Sequence, residues 1–277
     1  MRILAGQSVL LTGASGGLGS VMTQAFANRK VKLGLVAYPG TDLEALANSV
    51  AGRAAQTLVF ATDLRDPAQR REAFEQINKQ FGQIDILVNN AGVEFTSPYH
   101  ELSEAQIYEV LGVNLEAPMI LSRLVLPQML KRRQGHIVNI SSLAGKSGPA
   151  LQEPYSASKA GLVGFTASLR ASYRGSGVSA SVIVPSFVEA GIYARLKAKT
   201  GCTAPWLLTG CSAERVAKAV LGAIEADLPE VIINRYPIRP VLAISALSPK
   251  LGEWIAFRLG VHDFFRRVFE AGKGGRF

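Results

Sequence analysis

Six short apolar runs, each followed by a stretch of helical character, constrain the fold of this chain more than anything else. They occupy residues 8–12, 31–38, 57–64, 84–90, 136–141 and 178–188, and EVIINRYP adds a seventh candidate. Runs of that length, apolar on both faces and separated by helix-length segments, predict parallel strands joined by crossover helices. The expected fold class is therefore α/β: a doubly wound parallel sheet of about seven strands in a single domain. Ligands of such sheets bind outside the carboxyl ends of the strands. The turn after Thr12, Asp63, the Asn-Asn-Ala-Gly run at 89–92, Ser142 and Pro185 all follow strand ends and converge on that edge.

The first strand runs into TGASGGLG, and a helix-compatible segment follows. Strand, glycine turn and helix bring backbone N–H groups and a helix N-terminus onto a phosphate. Gly13 allows the tight turn, Gly17 a close backbone approach, and Gly19 close helix–strand packing. The layout is Rossmann-like and predicts a dinucleotide. The second strand ends in Ala37 and Tyr38, then Pro39 and Gly40, with no acid to repel a 2′-phosphate and no arginine to bind one. The cofactor expectation thus leans to NADP, with NAD as the alternative. Asp63 either meets the adenine end of the cofactor or caps the helix that opens near Asp66-Pro67.

Tyr155 and Lys159 stand four residues apart in a segment that reads as a helix after Pro154, so they share a face. A free phenol, with a pKa of about 10, is a poor acid or base near neutrality, and an adjacent cation lowers it. The pair is therefore a candidate acid/base, set against the ordinary surface pair that the same spacing makes. ELSEAQIYEVLGVNLEAPMILSRLVLPQML reads as one long helix capped by Ser103, with Asn114 at an unfavourable mid-helix position.

Composition sets limits. With 48% hydrophobic residues the chain can build a sizeable core. Cys202 and Cys211 make neither a disulfide framework nor a zinc site, which fits a reducing, cytoplasmic setting, and no metal is expected. No uninterrupted apolar stretch of about 18 residues predicts a spanning helix. The net charge of +9 is not interleaved with aromatics in one strip outside the C-terminal segment, so nucleic acid is not expected.

With these residues in hand, the chain resembles the short-chain dehydrogenase/reductase family in its classical branch, over about residues 5–235. TGASGGLG resembles the family's cofactor turn, Asn89 to Gly92 its second fingerprint, and Tyr155-Ser-Ala-Ser-Lys159 its YxxxK motif. Ser142 matches its catalytic serine, with Ser141 as the competing candidate, and Asn114 in VNLEAP matches its catalytic asparagine. The resemblance implies that Tyr155 exchanges a proton with a carbonyl or hydroxyl oxygen. It also implies that Ser142 stabilises that oxygen, that Lys159 lowers the tyrosine pKa and contacts the nicotinamide ribose, and that Asn114 holds a relay water. It assigns the cofactor Gly13, Ser15, Gly17, Leu18, Gly19, Tyr38, Asp63, Leu64, Asn90, Ala91, Gly92, Pro185 and Val188 besides Tyr155 and Lys159. Ser186 stands where the family often has glycine and Ala190 where it has a threonine for the carboxamide, so nicotinamide positioning departs from the pattern.

The implied activity is interconversion of a carbonyl and a secondary alcohol. Ile192, Tyr193, Trp206, Leu207 and Leu208 fall in the family's substrate loop and suggest a lipophilic, steroid-like or acyl-chain compound, with Ser142, Tyr155 and Tyr193 touching it. The alternatives are a 3-oxoacyl-carrier-protein reductase and a cofactor-sensing binding module without catalysis. The resemblance implies homodimers or homotetramers, commonly through the helices that hold Asn114 and Tyr155. Residues 236–277 form a C-terminal helical extension beyond the family core. Its Trp254, Phe257, Phe264, Phe265 and Phe269 favour packing over the pocket or a partner subunit, and peripheral contact with a membrane surface is the other reading.

Overall fold

A computed structural model describes residues 4–272 and the backbone of 275 and 276; the remaining residues of the extension, 273, 274 and 277, lie outside it. Nine strands follow in chain order: β1 (Ser8–Thr12), β2 (Lys32–Ala37), β3 (Gln56–Ala61), β4 (Ile86–Asn89), β5 (Phe95–Thr96), β6 (Gly135–Ile140), β7 (Val178–Pro185), β8 (Glu230–Ile233) and β9 (Gly275–Arg276). Seven of them form one parallel sheet in the order β3-β2-β1-β4-β6-β7-β8, while β5 and β9 pair as a separate antiparallel ribbon. The order reverses between β1 and β4, and the crevice at such a switch point is where these sheets bind ligands. The strands are shorter than the apolar runs. β3 is an edge strand whose pairing with β2 stops at Ala37↔Ala61, which leaves Asp63 beyond the ladder. β7 stops at Pro185, which has no N–H to continue it.

Helices cover both faces. On one side α1 (Gly17–Ala27) packs with α9 (Ala213–Ala226) against Val9, Leu11, Leu33 and Leu35. The short α2 (Leu43–Asn48) is capped by Asp42. On the other side α3 (Pro67–Phe81) and α5 (Ala117–Arg132) bury Ile77, Leu121, Val125 and Met129 against Leu10, Leu87 and Ile137. Alternate residues of β1 thus feed opposite cores, as a period of two requires.

The long helix is not uniform. α4 (Glu104–Leu111) opens with Ser103 in a capping box with Gln106 and passes through a π-helical turn at Gly112–Glu116 before α5 begins. Pro118 has no N–H for the carbonyl of residue 114, and the Ala117 N–H reaches back to Gly112 instead, which widens the helix at Asn114. By length and hydropathy residues 104–132 meet the criterion for a membrane span, at a mean hydropathy of 1.3, yet 44% of that window is buried inside the domain. Leu121, Val125 and Met129 of this helix lie in the second core.

A short α6 (Ala144–Ser147) precedes α7 (Glu153–Ser172), which carries Tyr155 and Lys159. A buried chain of amides fixes its approach: Asn89 Nδ2 donates to Asn139 Oδ1 at 2.8 Å, and Asn139 Nδ2 donates to Thr166 Oγ1 at 2.8 Å. Helix α8 (Gly191–Thr200) follows β7. The extension folds as α10 (Arg239–Leu247), α11 (Pro249–Arg258) and α12 (Val261–Gly272). Val261, Phe264, Phe265 and Val268 are buried in a third core with Leu143, Val184 and Tyr193.

At the edge opposite the carboxyl ends, Asp85 joins three elements. Its Oδ2 accepts from the Ser8 N–H and hydroxyl, both at 2.9 Å, and its Oδ1 accepts from Arg132 at 3.3 Å. Asp85→Ala leaves these donors without their buried partner and is expected to cost about 2–4 kcal/mol. Urea unfolding followed by circular dichroism checks this, and an unchanged midpoint would show that the clamp contributes nothing.

Candidate active site

A cavity of about 940 Å³ opens along the carboxyl edge and is lined from both halves of the sheet. Its first wall is the turn between β1 and α1. A Cβ on Gly19 would lie 1.9 Å from the Gly13 carbonyl oxygen, and one on Gly17 would lie 2.5 Å from the Gly191 nitrogen, so only glycine fits at either place. The first turn of α1 carries no side-chain cap and no acid, and Gly16, Gly17, Leu18 and Gly19 face the cavity. Gly16 donates its N–H to the Gly13 carbonyl at 3.2 Å, and the first-turn N–H groups of Gly17, Leu18 and Gly19, with the helix dipole behind them, fit a diphosphate.

The Asn-Asn-Ala-Gly run stitches this turn to β4. Thr12 Oγ1 accepts from the N–H groups of Asn90 at 3.0 Å and Ala91 at 3.1 Å. Asn90 Nδ2 donates to the carbonyls of Thr12 at 3.0 Å and Gly13 at 3.1 Å. The Asn90 Nδ2 group is thereby engaged by the glycine turn, and Asn90, Ala91 and Gly92 line the cavity.

At the end of β2, Tyr38 is half exposed and lines the cavity with Ser15, Asp63 and Leu64. The sequence placed no arginine here, but tertiary structure brings one. Arg65 Nη2 lies 3.4 Å from Tyr38 Oη while its guanidinium binds the Asp63 carboxylate through Nε and Nη2, the latter at 2.6 Å. That hydrogen bond holds the guanidinium pKa well above its ordinary value. The helix cap left open in the sequence is Asp66, whose carboxylate accepts from the Ala68 and Gln69 N–H groups and is held below the usual range by those bonds.

On the other side of the switch point, Tyr155 is partly buried on the cavity wall and its hydroxyl hydrogen-bonds Ser142. Ser141 points away: its Oγ donates to the Lys159 carbonyl at 2.7 Å. Lys159 is 4% exposed, and its Nζ donates to the Ile140 carbonyl at 3.0 Å and lies 5.6 Å from the Tyr155 ring centroid. Burial lowers the Lys159 pKa to about 8. The phenol is not lowered as the pairing suggested. Burial, reinforced by Glu94, pushes it well up, and only the Ser142 bond acts the other way.

Asn114, fully buried, does not line the cavity. Its Oδ1 accepts from the Val93 N–H and its Nδ2 donates to the Val93 carbonyl, both at 2.9 Å, and Nδ2 also reaches Ser158 Oγ at 3.2 Å. Pro185 and Val188 line the cavity with Ser186, whose Oγ is buried without a protein partner. Tyr193 lines it through its ring, since its hydroxyl accepts from the Ala204 N–H at 3.0 Å. Ile192 and Leu208 join it, but Trp206 stacks on Tyr236 at 5.5 Å and, with Leu207, lies off the wall. The rest of the apolar wall comes from the extension, among it Val241, Leu242, Ile255, Leu259 and Phe265. Among the described residues, no group of three His, Cys, Asp or Glu side chains is placed to hold a metal ion.

One cluster had no sequence signal beyond its position just after the Asn-Asn-Ala-Gly run. Glu94, on the cavity wall, accepts at Oε1 from Gln152 Nε2 at 3.0 Å and from Thr96 at 3.2 Å, and Gln152 Oε1 is buried without a partner. Burial raises the Glu94 pKa to about 7, against the pull of those bonds and of Arg195 and Lys159.

Known proteins resemble this chain in sequence and in fold. The short chain dehydrogenase family matches residues 7–201. The chain is 37% identical to a ketoacyl reductase, HetN, of Nostoc sp. over 98% of its own length and 95% of the relative's. It is 32% identical to the 3-oxoacyl-[acyl-carrier-protein] reductase FabG of Escherichia coli K12 over 66% of this chain and 74% of that one. The crystal structure of a metagenomic short-chain oxidoreductase in complex with NADP superposes with a TM-score of 0.70 at 28% identity, covering 85% of this chain and all of that one.

Glu94 holds its proton more tightly in the folded chain than in the unfolded one. Between its ordinary value of 4.5 and about 7 its contribution to stability is therefore lost as pH rises. Glu94→Gln removes that titration. The difference between wild-type and variant urea midpoints is expected to change across this window and to level off above it, whereas parallel curves would show that Glu94 titrates normally.

Proposed function

Because the chain belongs to the short chain dehydrogenase family, we propose that it is a nicotinamide-dependent reductase of a lipophilic ketone on an acyl chain, with Tyr155 as the proton donor. One observation carries the reading. A single cavity joins the uncapped N-terminus of α1, the Tyr155–Ser142 pair and an apolar wall contributed by the C-terminal extension. The ketoacyl reductase of Nostoc aligns over nearly the whole chain, so the extension is common to both, which favours an acyl over a steroid-like substrate.

The dinucleotide supplies the hydride when bound. The residues at hand suit it: the α1 turn for the diphosphate, Tyr38, Ser15 and Arg65 around the adenine ribose, and Ala91 and Gly92 along the backbone. An arginine beside Tyr38 and no acid on β2 support NADP over NAD. The unpartnered Ser186 hydroxyl offers the carboxamide the hydrogen bond that Ala190 lacks. Tyr155 keeps its proton at neutral pH because burial and Glu94 disfavour the phenolate. It hands that proton to the carbonyl oxygen as charge develops there, while Ser142 donates a second hydrogen bond to the same oxygen. Lys159, close to its own pKa at neutral pH, returns a proton to the phenolate. Asn114 acts through the backbone of Val93, which it holds in place at the foot of the site. Partner copies dock on the outer faces of α4, α5 and α7, where Tyr108 and Met119 are exposed.

Tyr155→Phe removes the donor and leaves the cofactor cradle intact. Turnover of a 3-oxoacyl thioester with NADPH is expected to fall about 10²–10⁴-fold, with NADPH binding, read by fluorescence titration, near wild type. Turnover at the wild-type rate would overturn the mechanism, and a clear preference for NADH would overturn the cofactor assignment.

A further inference from the structure

The helices of the extension are two-sided. Val241, Leu242 and Ser245 of α10, Gly252 and Ile255 of α11, and Leu259 at its C-terminal cap face the cavity. The two helices close tightly on each other, since a Cβ on Gly252 would lie 2.6 Å from Ser245 Cβ. Their other side does not pack on the domain. Leu247, at the end of α10, is 88% exposed, and Trp254 and Phe257 of α11 are 58% and 55% exposed. Leu251, Trp254 and Arg258 follow at spacings of three and four residues and so make one stripe with Phe257 beside it. The Arg258 guanidinium lies over the Trp254 ring, 5.6 Å from its centroid, and Lys250 is exposed one turn before Trp254. An exposed apolar face of this kind, rimmed by cations, marks a docking surface.

We propose that the outer face of α10 and α11 docks on an anionic lipid bilayer. Leucine, tryptophan and phenylalanine flanked by lysine and arginine are the residues that seat a helix in the interface of a membrane, with the rings at headgroup depth and the cations on the phosphates. Charge decides against a second copy of the chain. The chain carries +9, and a two-fold contact through this face would bring together two surfaces that each bear Lys250 and Arg258. An anionic surface attracts the same charges. The placement also joins the two sides of the helices. One helical layer separates the bilayer from the cavity, so a lipophilic substrate dissolved in the membrane would cross only that layer to reach Tyr155. That last step alone rests on the proposed substrate class; the docking itself does not.

Flotation of the purified full-length chain tests the surface without reference to activity. The chain is expected to float with vesicles of phosphatidylcholine and phosphatidylglycerol, to float less with phosphatidylcholine alone, and to be released by high salt. The double variant Leu247→Glu/Trp254→Glu is expected to lose at least about 10-fold in bound fraction. Its NADPH binding and its turnover of a water-soluble short-chain ketone should stay at wild-type levels. Lys250→Glu/Arg258→Glu, which leaves the apolar face untouched, guards against misfolding of the first variant and is expected to lose the dependence on phosphatidylglycerol. Failure to float with either vesicle, or equal flotation of wild type and both variants, overturns the proposal. So does sedimentation showing that the variants break apart an assembly which the wild type forms in the absence of lipid. A chain that floats as expected but turns over no acyl ketone would retain the docking surface and refute only the substrate.

Discussion

The hydroxyl of Thr12 sits where the sheet reverses direction, and the site is assembled around it. β1 and β4 are neighbours whose chains leave toward opposite faces, so their ends diverge and open the crevice. Thr12 bridges that gap by accepting two backbone N–H groups of the Asn90–Ala91 segment, and Asn90 returns two hydrogen bonds to the carbonyls of the glycine turn. The bridge fixes the aim of the α1 N-terminus relative to β4. The amide chain from Asn89 through Asn139 to Thr166 then sets α7, with Tyr155 and Lys159, against the same edge. Backbone polar groups that would otherwise be stranded at a buried switch point are thereby satisfied, which is the condition for leaving a cavity there at all.

Electrostatics inside that cavity runs against surface intuition. Lys159 and Glu94 are both buried, and burial disfavours both charges, bringing their pKa values to about 8 and about 7. Two groups that hold or release protons near neutrality thus flank a phenol that holds its own. Such an arrangement is poor for stability and good for proton traffic, because small changes nearby move charge among the three.

The extension divides its apolar residues between two tasks. Phe264, Phe265 and Val268 of α12 complete a core with Tyr193 and Phe187, whose rings lie 6.4 and 5.1 Å from that of Phe264. The inner residues of α10 and α11 turn a cofactor crevice into a pocket with an apolar wall. Packing thus takes the inner faces of the segment and leaves Leu247, Trp254 and Phe257 exposed on the outer one.

The sequence by itself determined the α/β class, the parallel sheet, the glycine cradle and the pairing of Tyr155 with Lys159. Each of these rests on local spacing: apolar runs of strand length, glycines at the only places a backbone can approach so closely, and an i, i+4 pair on a helix. Tertiary structure alone decided what depends on distance along the chain and on solvent. It set Ser142 rather than Ser141 beside the Tyr155 hydroxyl, brought Arg65 to Tyr38, placed Asn114 on a π-helical turn behind the wall, and set Glu94 against Gln152. It also reversed the expected direction of the tyrosine pKa. A neighbouring cation can be counted in a sequence. The desolvation that raises the phenol comes from the packing of the cavity wall, to which residues far apart in the chain contribute.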